Sequence, residues 1–184
     1  DVDNCDCCFV QALLEGGVRP RYVHVEVSSF IPPPIVFRPE AFDPLIRGDS
    51  MLEMGPEHGF RGHMVHCSLS AVSEDLRPFG YKLVQLVLHD ALFARQDLVR
   101  DAAYVADASL WDELEDLEAA WNAEHYCHPL RPTQWIELAY RSTFLYDYRQ
   151  WNDRDVAVQA RLGLLRGYLD RWQKPRDDYV LRVA

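Results

Sequence analysis

The chain has 184 residues with a formal net charge of -10, and 48% of its residues are hydrophobic. This length and composition are typical of a globular protein of ordinary size. The acidic balance argues against nucleic acid as the main partner, because binding a phosphate backbone needs a basic face. No stretch approaches the roughly 20 apolar residues that a membrane-spanning helix needs, so we predict no membrane span.

The opening residues, DVDNCDCCFV, combine three acidic side chains with three cysteines. We considered the metal-binding Asp-x-Asp of a glycosyltransferase for DVD, and zinc or an iron–sulfur cluster for CDCC. Structural zinc sites prefer Cys-x2-Cys pairs, so we predict that Cys5, Cys7 and Cys8 bind no metal. Five cysteines, an odd number with three crowded together, form a poor disulfide framework and favour a reducing compartment.

The next segments predict a helix followed by a strand. CFVQALLEGG has apolar residues at helical spacing and ends in two glycines, which are typical of a helix stop. In RPRYVHVEVSSF, Val23, Val25 and Val27 alternate with His24 and Glu26, which indicates a strand. The order helix, glycine stop, strand is typical of an α/β fold with a parallel sheet.

The middle of the chain predicts an extended segment, a loop, a helix and a strand pair. Three prolines, Pro32 to Pro34, exclude a helix or a central strand. Residues 40–62 show no period and indicate a long surface loop. Ser68 or Ser70 can cap a helix that runs towards Gly80. The segments YKLVQLVL and ALFAR, joined by the turn His89-Asp90, predict two antiparallel neighbouring strands.

From residue 107 onward the pattern becomes that of amphipathic helices. SLWDELEDLEAAWNAEHY, TQWIELAYRSTFLYDYRQW and DVAVQARLGLLRGYLDRW each carry apolar residues at helical spacing. We therefore divide the chain into an α/β part, residues 1–100, and a helical C-terminal extension, residues 101–184. The second part contains all five tryptophans, Trp111, Trp121, Trp135, Trp151 and Trp172, which favour it as a protein–protein contact surface.

Three segments taken together, DVDNCDCCFVQALL, RPRYVHVEVSSFIPPPI and CSLSAVSEDLRPFGYKLVQLVLHDALFARQDL, resemble the later half of FkbM-related methyltransferase-like domains. The resemblance covers about residues 1–98. The matching positions are Asp1, Asp3, Asp6, Glu26, Pro32 to Pro34, Cys67 to Leu69, Gly80-Tyr81 and Asp90 to Phe93. Asn4 and Ser28 depart from the Gly and Asn that the family often has there.

The resemblance implies an α/β fold: the second half of a Rossmann-type, S-adenosylmethionine-binding sheet, followed by the helical extension. In that sheet we expect the strand Val23 to Val27 to run parallel to a strand that ends at Asp3. In that fold the donor lies on a Gly-rich turn, and an acidic residue holds its ribose. Both elements would precede the first motif, and the 184 residues contain no Gly-x-Gly. The chain also does not begin with Met, so we expect that a segment upstream is missing. We expect this chain alone to bind no cofactor, and S-adenosylmethionine to bind only if the missing half is present.

Several polar residues are candidates for the site that the resemblance implies. Glu26 lies at a strand position where α/β enzymes build their sites. We predict Asp3, Glu26 and His89 as catalytic residues, and Asp1 with Asp3 as contacts to the donor. The histidines of HGFRGHMVHC and of HYCH are candidates for a metal site, but loop histidines are more often solvated, so we predict no metal ligand.

Two functions follow from the resemblance. The favoured one is a non-catalytic accessory subunit that binds other protein subunits through its tryptophan-containing tail and its open sheet edge. The alternative is a methyltransferase whose donor-binding half lies upstream. For either, the cysteines favour a reducing intracellular compartment, which would be an organelle (plastid or mitochondrion) if a targeting peptide was removed. The prediction of no membrane span does not exclude a membrane complex as a neighbour of this chain.

Overall fold

The computed structural model describes residues 6–28, 30–39, 66–87, 89–101, 116–125, 155–171 and 179–184. The first half contains α1 (Asp6–Glu15), β1 (Tyr22–Glu26), β2 (Ile35–Pro39), α2 (Leu69–Leu76), a 3-10 turn (Arg77–Phe79), β3 (Tyr81–Val87) and β4 (Asp90–Arg95). The second half contains α3 (Gln96–Asp101), α4 (Leu117–His125), α5 (Val158–Arg171) and β5 (Tyr179–Val183). The predicted loop over residues 40–62 lies outside the described residues.

The first sheet has the strand order β1-β4-β3. Strand β4 is antiparallel to both neighbours, and its Phe93 lies opposite Val23 on one side and Leu83 on the other. The predicted hairpin of YKLVQLVL and ALFAR is therefore confirmed. Since β1 and β3 both run against β4, they point in the same direction.

Helices α1, α2 and α4 cover this sheet and enclose what we call the first core. Alternate residues of β1, including Val23 and Val25, point into it, as the alternating sequence pattern predicts. The core also takes Trp121 from α4, which is 1% exposed. Trp121 is therefore unavailable as the partner contact predicted for it, and the other four tryptophans lie outside the described residues.

The second sheet pairs β2 with β5 in antiparallel register, with Ile35 opposite Val183. Helix α5 packs against β5. Together these elements enclose the second core, formed by Ile31, Ile35, Phe37, Leu162, Leu165, Tyr168, Leu169 and Tyr179. The prediction of a wholly helical C-terminal extension is wrong at its end, because residues 179–183 form a strand. Tyr-Val-Leu-Arg-Val is short and β-branched, and it returns to pair with β2 from the first half of the chain.

Local sequence signals explain the ends of the helices. Gly17 and Gly80 adopt φ of 90° and 79°, a left-handed conformation that glycine accepts without strain, and each follows a helix or turn. Ser68 is the N-cap of α2, and its hydroxyl accepts a hydrogen bond from the backbone N–H of Ala71. The alternative cap, Ser70, lies within the helix.

Cys7 and Cys67 form a disulfide, with their Cα atoms 6.3 Å apart, and Cys8 is also disulfide-bonded. The expectation that the cysteines are a poor disulfide framework is therefore wrong for these three. An odd total count does not prevent individual pairs, because the fold brings the start of α1 beside the segment before α2. The inference of a reducing compartment, which rested on that expectation, loses its basis.

The architecture is mixed α/β with small antiparallel sheets and helices. Among the described strands every pairing is antiparallel, so they do not form the parallel order of a Rossmann-type sheet. The strand predicted to end at Asp3 lies outside the described residues, as does its parallel pairing with β1. No helix of the described part of the chain is long and apolar enough to cross a membrane.

Candidate functional site

Glu26, the last residue of β1, lies between two histidines. Its Oε2 is 3.5 Å from Nε2 of His66, and its Oε1 is 3.5 Å from Nε2 of His89. The side chains of Glu26 and His66 are 23% and 13% exposed, whereas that of His89 is 49% exposed. The carboxylate therefore faces a sheltered histidine on one side and a solvent-accessible histidine on the other.

Backbone hydrogen bonds that continue beyond β1 hold the two histidine segments in place. The N–H of Val27 donates to the carbonyl of His89 at 2.7 Å, and the N–H of Ser28 donates to the carbonyl of Cys67 at 2.8 Å. Cys67 directly follows His66. The residues after Glu26 thus anchor both segments by their main chains, so the fold places both histidines beside Glu26.

Asp6 completes the sheltered side of the site. It is the first residue of α1 and is buried, with 8% of its surface exposed. One ligand-type atom from each of Asp6, Glu26 and His66 lies within 4.8 Å of the other two. The Cys7–Cys67 disulfide joins the residues next to Asp6 and His66, so a covalent link holds these two segments together.

A second, more open group shares Glu26. It consists of Glu26, His89 and Asp90, again with ligand-type atoms within 4.8 Å of one another. Asp90 begins β4, 3.8 Å from Nε2 of His89 and 3.2 Å from Nε2 of His24. The side chains of His24 and Asp90 are 64% and 40% exposed, so water reaches this part of the site.

The arrangement can serve two kinds of chemistry. A carboxylate paired with a histidine can accept and release a proton, as in general acid–base catalysis. Carboxylate oxygens together with an imidazole nitrogen also form a donor set that divalent transition metals accept. The sheltered group favours ligation, and the open group favours exchange of protons with a substrate or water.

An ion pair supports the elements beside the site. Arg38 of β2 and Asp75 of α2 form a hydrogen-bonded salt bridge between partly buried side chains. Burial raises the pKa of the Asp75 carboxyl above its usual value, and this effect exceeds the lowering by the Arg38 guanidinium. The pair therefore links β2 to α2. The charged form of Asp75 is nevertheless less favoured there than it is in water.

The structure brings together two of the three predicted catalytic residues, Glu26 and His89, although their roles stay predictions. Asp3 and Asp1 lie outside the described residues. Two more residues lie beside Glu26: Asp6, one of the positions that match the family, and His66, one of the histidines considered for a metal site and predicted to bind none. The sequence did hold one signal for His66, its position just before the Cys-Ser-Leu helix start, because helix starts after strands lie at the site edge of α/β folds.

The sequence matches no protein-family model, and comparisons with curated proteins and with solved structures find no similar protein. The resemblance to FkbM-related methyltransferases accordingly stays a prediction from the motifs quoted above.

Proposed function

We propose that this chain is the later half of an S-adenosylmethionine-dependent methyltransferase-like domain and contributes its acid–base group. The observation that carries the proposal is the position of Glu26 between His66 and His89, at the carboxyl end of β1. A proton acceptor of this kind is what methyl transfer to a hydroxyl or amine requires of the protein, besides proximity and orientation of the two substrates.

The topology supports the proposal. Strands β1 and β3 share one direction, with β4 antiparallel between them, and the chain that connects β1 to β3 includes β2 and α2. Mixed sheets of this kind are common in α/β folds, where an antiparallel strand accompanies parallel ones. In such folds ligands bind beyond the carboxyl ends of the strands, which is the end at which Glu26 and the β3–β4 turn with His89 lie.

We assign His89 as the residue that exchanges a proton with the acceptor, and Glu26 as the residue that orients it. The imidazole of His89 is accessible to solvent, while the carboxylate of Glu26 is only 23% exposed and contacts both histidines. A buried carboxylate that fixes the orientation of a histidine strengthens it as a base. Asp3 remains a candidate for the same site, and Asp1 with Asp3 for donor contacts.

The test uses the longest natural protein that contains this chain, incubated with S-adenosylmethionine and candidate hydroxyl and amine acceptors. We expect formation of S-adenosylhomocysteine, reduced roughly 10²–10⁴-fold by His89→Gln or Glu26→Gln. The matched control is Glu118→Gln, which makes the same carboxylate-to-amide change at an exposed position of α4 and should retain full activity. Donor binding without any effect of the two variants would refute the assignment.

A second function, an accessory subunit of a larger assembly, is favoured by an exposed apolar surface. Phe9 and Leu13 lie one turn apart on α1 and are 47% and 55% exposed. Tyr22 is 55% exposed and belongs to β1, which is an edge strand among the strands that the structure describes. Such groups are typical of surfaces that another chain or segment covers. If the full protein neither binds the donor nor forms S-adenosylhomocysteine, this function replaces the first.

Binding of S-adenosylmethionine to this chain alone tests which half of the domain holds the donor site. Residues 1–184 alone contain neither a Gly-x-Gly turn nor a predicted ribose carboxylate, so we expect them to bind S-adenosylmethionine no more tightly than about millimolar, roughly 4 kcal/mol. Calorimetric titration at high protein concentration measures this. A micromolar dissociation constant would mean that the donor site lies within this chain.

A further inference from the structure

We propose that Asp6, Glu26 and His66 form a binding site for a divalent transition-metal ion of the Zn²⁺ or Mn²⁺ type. The proposal concerns ion binding alone and does not depend on methyl transfer. It rests on a three-residue donor set from three separate parts of the chain: the start of α1, the end of β1 and the segment before α2.

The distances agree with ligation of one ion. Ligands about 2.0–2.2 Å from an ion, at angles between 90° and 110°, lie roughly 3.0–3.5 Å from each other. Oε2 of Glu26 and Nε2 of His66 are 3.5 Å apart. Asp6 offers an oxygen within 4.8 Å of both, which places the third donor beside the same position.

The charges also favour a cation at this position. Two carboxylates, one of them on the buried Asp6, lie within 4.8 Å of each other. Burying like charges together is unfavourable unless a positive charge compensates them. A divalent ion supplies that charge and uses the imidazole of His66 as a neutral ligand. The competing explanation is a protonated His66 that forms a salt bridge with Glu26, and the experiment below separates the two.

The donor types determine the class of ion. Imidazole nitrogen with carboxylate oxygens suits Zn²⁺, Mn²⁺, Fe²⁺ or Co²⁺, whereas Mg²⁺ and Ca²⁺ prefer sets made of oxygen alone. Three protein ligands leave coordination positions for water or a substrate, as in catalytic rather than structural sites. The group Glu26, His89 and Asp90 is the weaker alternative, because it is more exposed and Asp90 also contacts His24.

The Cys7–Cys67 disulfide is the positioning element of this site. Cys7 follows Asp6 and Cys67 follows His66, so the bond fixes the separation of two ligands whose positions in the sequence are 60 residues apart. Since both sulfurs are in the disulfide, neither is a thiolate ligand in this state. The proposal therefore predicts a nitrogen–oxygen site under oxidising conditions.

The test is titration of the oxidised, metal-free protein with Zn²⁺ by calorimetry and with Co²⁺ by visible absorption. We expect one ion per chain, with a Co²⁺ spectrum that lacks thiolate charge-transfer bands. Asp6→Asn, Glu26→Gln and His66→Gln should each weaken binding at least about tenfold, while Glu118→Gln should leave it unchanged. These amide variants are close in shape to the native residues, and circular dichroism checks that each remains folded.

Three outcomes would overturn the proposal. They are an affinity weaker than millimolar in the unmodified protein, binding that survives all three substitutions, or binding that occurs only after the disulfide is reduced. The last would indicate thiolate ligands. In the competing explanation, with a protonated His66, the protein binds no ion. The Cys7→Ala/Cys67→Ala double variant tests the positioning role, and it should bind Zn²⁺ several-fold more weakly while its circular dichroism spectrum remains native.

Discussion

The two hydrophobic cores of the molecule differ in what lies at their edges. The first core, between the three-stranded sheet and helices α1, α2 and α4, ends at Glu26 with its carboxylate and histidine neighbours. The second core, between β2, β5 and α5, is aliphatic and aromatic, with the rings of Phe37 and Tyr179 5.8 Å apart. Among the described residues, the clusters of metal-type ligands all adjoin the first core. The candidate ligand groups thus belong to one region, and the other region is a hydrophobic core without them in the part of the chain that the structure describes.

One connection between the two regions passes through Ser68. The N–H of Phe37 donates to the Ser68 hydroxyl, and the N–H of Ser68 donates to the Phe37 carbonyl, both at 2.9 Å. Ser68 is also the cap of α2 and stands two residues after His66. The second core therefore helps to position the segment that carries His66, because it holds β2 against the start of α2. It contributes none of the proposed ligands.

A cavity in either core should have the largest effect on the stability of the protein. Phe37→Ala in the second core and Phe93→Ala in the first remove side chains that are at most 1% exposed. Each should lower the free energy of unfolding by about 3–5 kcal/mol, measured by urea denaturation. Phe93→Ala should also weaken Zn²⁺ binding more than Phe37→Ala does, because β4 pairs directly with the strand that carries Glu26. Equal loss of affinity in both variants would mean that the two cores act as one.

Loss of the Ser68 hydroxyl, which joins the two regions, should have a smaller effect on stability. Ser68→Ala removes the cap of α2 and the acceptor for Phe37, so we expect a loss of about 1–2 kcal/mol in unfolding free energy. It should also weaken ion binding, because His66 lies on the segment that Ser68 anchors. The matched control, Ser73→Ala within the same helix, should change stability by less than about 0.5 kcal/mol. If Ser68→Ala behaves like the control, the junction does not couple the regions.

The sequence predicted local elements well, because their signals are local. The alternation of valines predicted β1, the glycines predicted helix ends, and the short turn at His89-Asp90 predicted an antiparallel pair. Partners separated by long stretches of chain were not predicted. Neither the pairing of β5 with β2 nor the Cys7–Cys67 bond has a signal in spacing or composition, because both depend on which distant segments the fold brings together.

The site shows the same division. Glu26 could be singled out because it lies on a strand in an α/β pattern, and His89 because it lies in the turn between the last two predicted strands. Asp6 was one of several acidic residues in the opening segment, and His66 was one of several histidines in a segment where solvated histidines are common. They become candidate ligands only because α1 and the segment before α2 meet at Glu26. This is a tertiary contact, and local sequence patterns do not predict it.

The smallest predicted effect concerns the ion pair that ties the regions together beside Ser68. Burial raises the pKa of Asp75 in the folded state above its ordinary value of 3.8, against the opposing influence of Arg38. The native state therefore retains a proton that the unfolded state has already lost. In that pH window the unfolded state binds fewer protons, so the contribution of Asp75 to stability is greatest below the ordinary pKa and is lost as pH rises through the raised one.

Urea denaturation of the native protein and of Asp75→Asn, compared from pH 3.5 upward, measures this contribution. The stability advantage of the native protein over the variant should shrink as pH rises through the window. Arg38→Gln removes the group that lowers this pKa, and so it should extend the window to higher pH. An advantage that grows with pH would show instead that the charge of Arg38 outweighs burial. The Arg38–Asp75 ion pair would then stabilise the charged form of Asp75 by more than burial destabilises it.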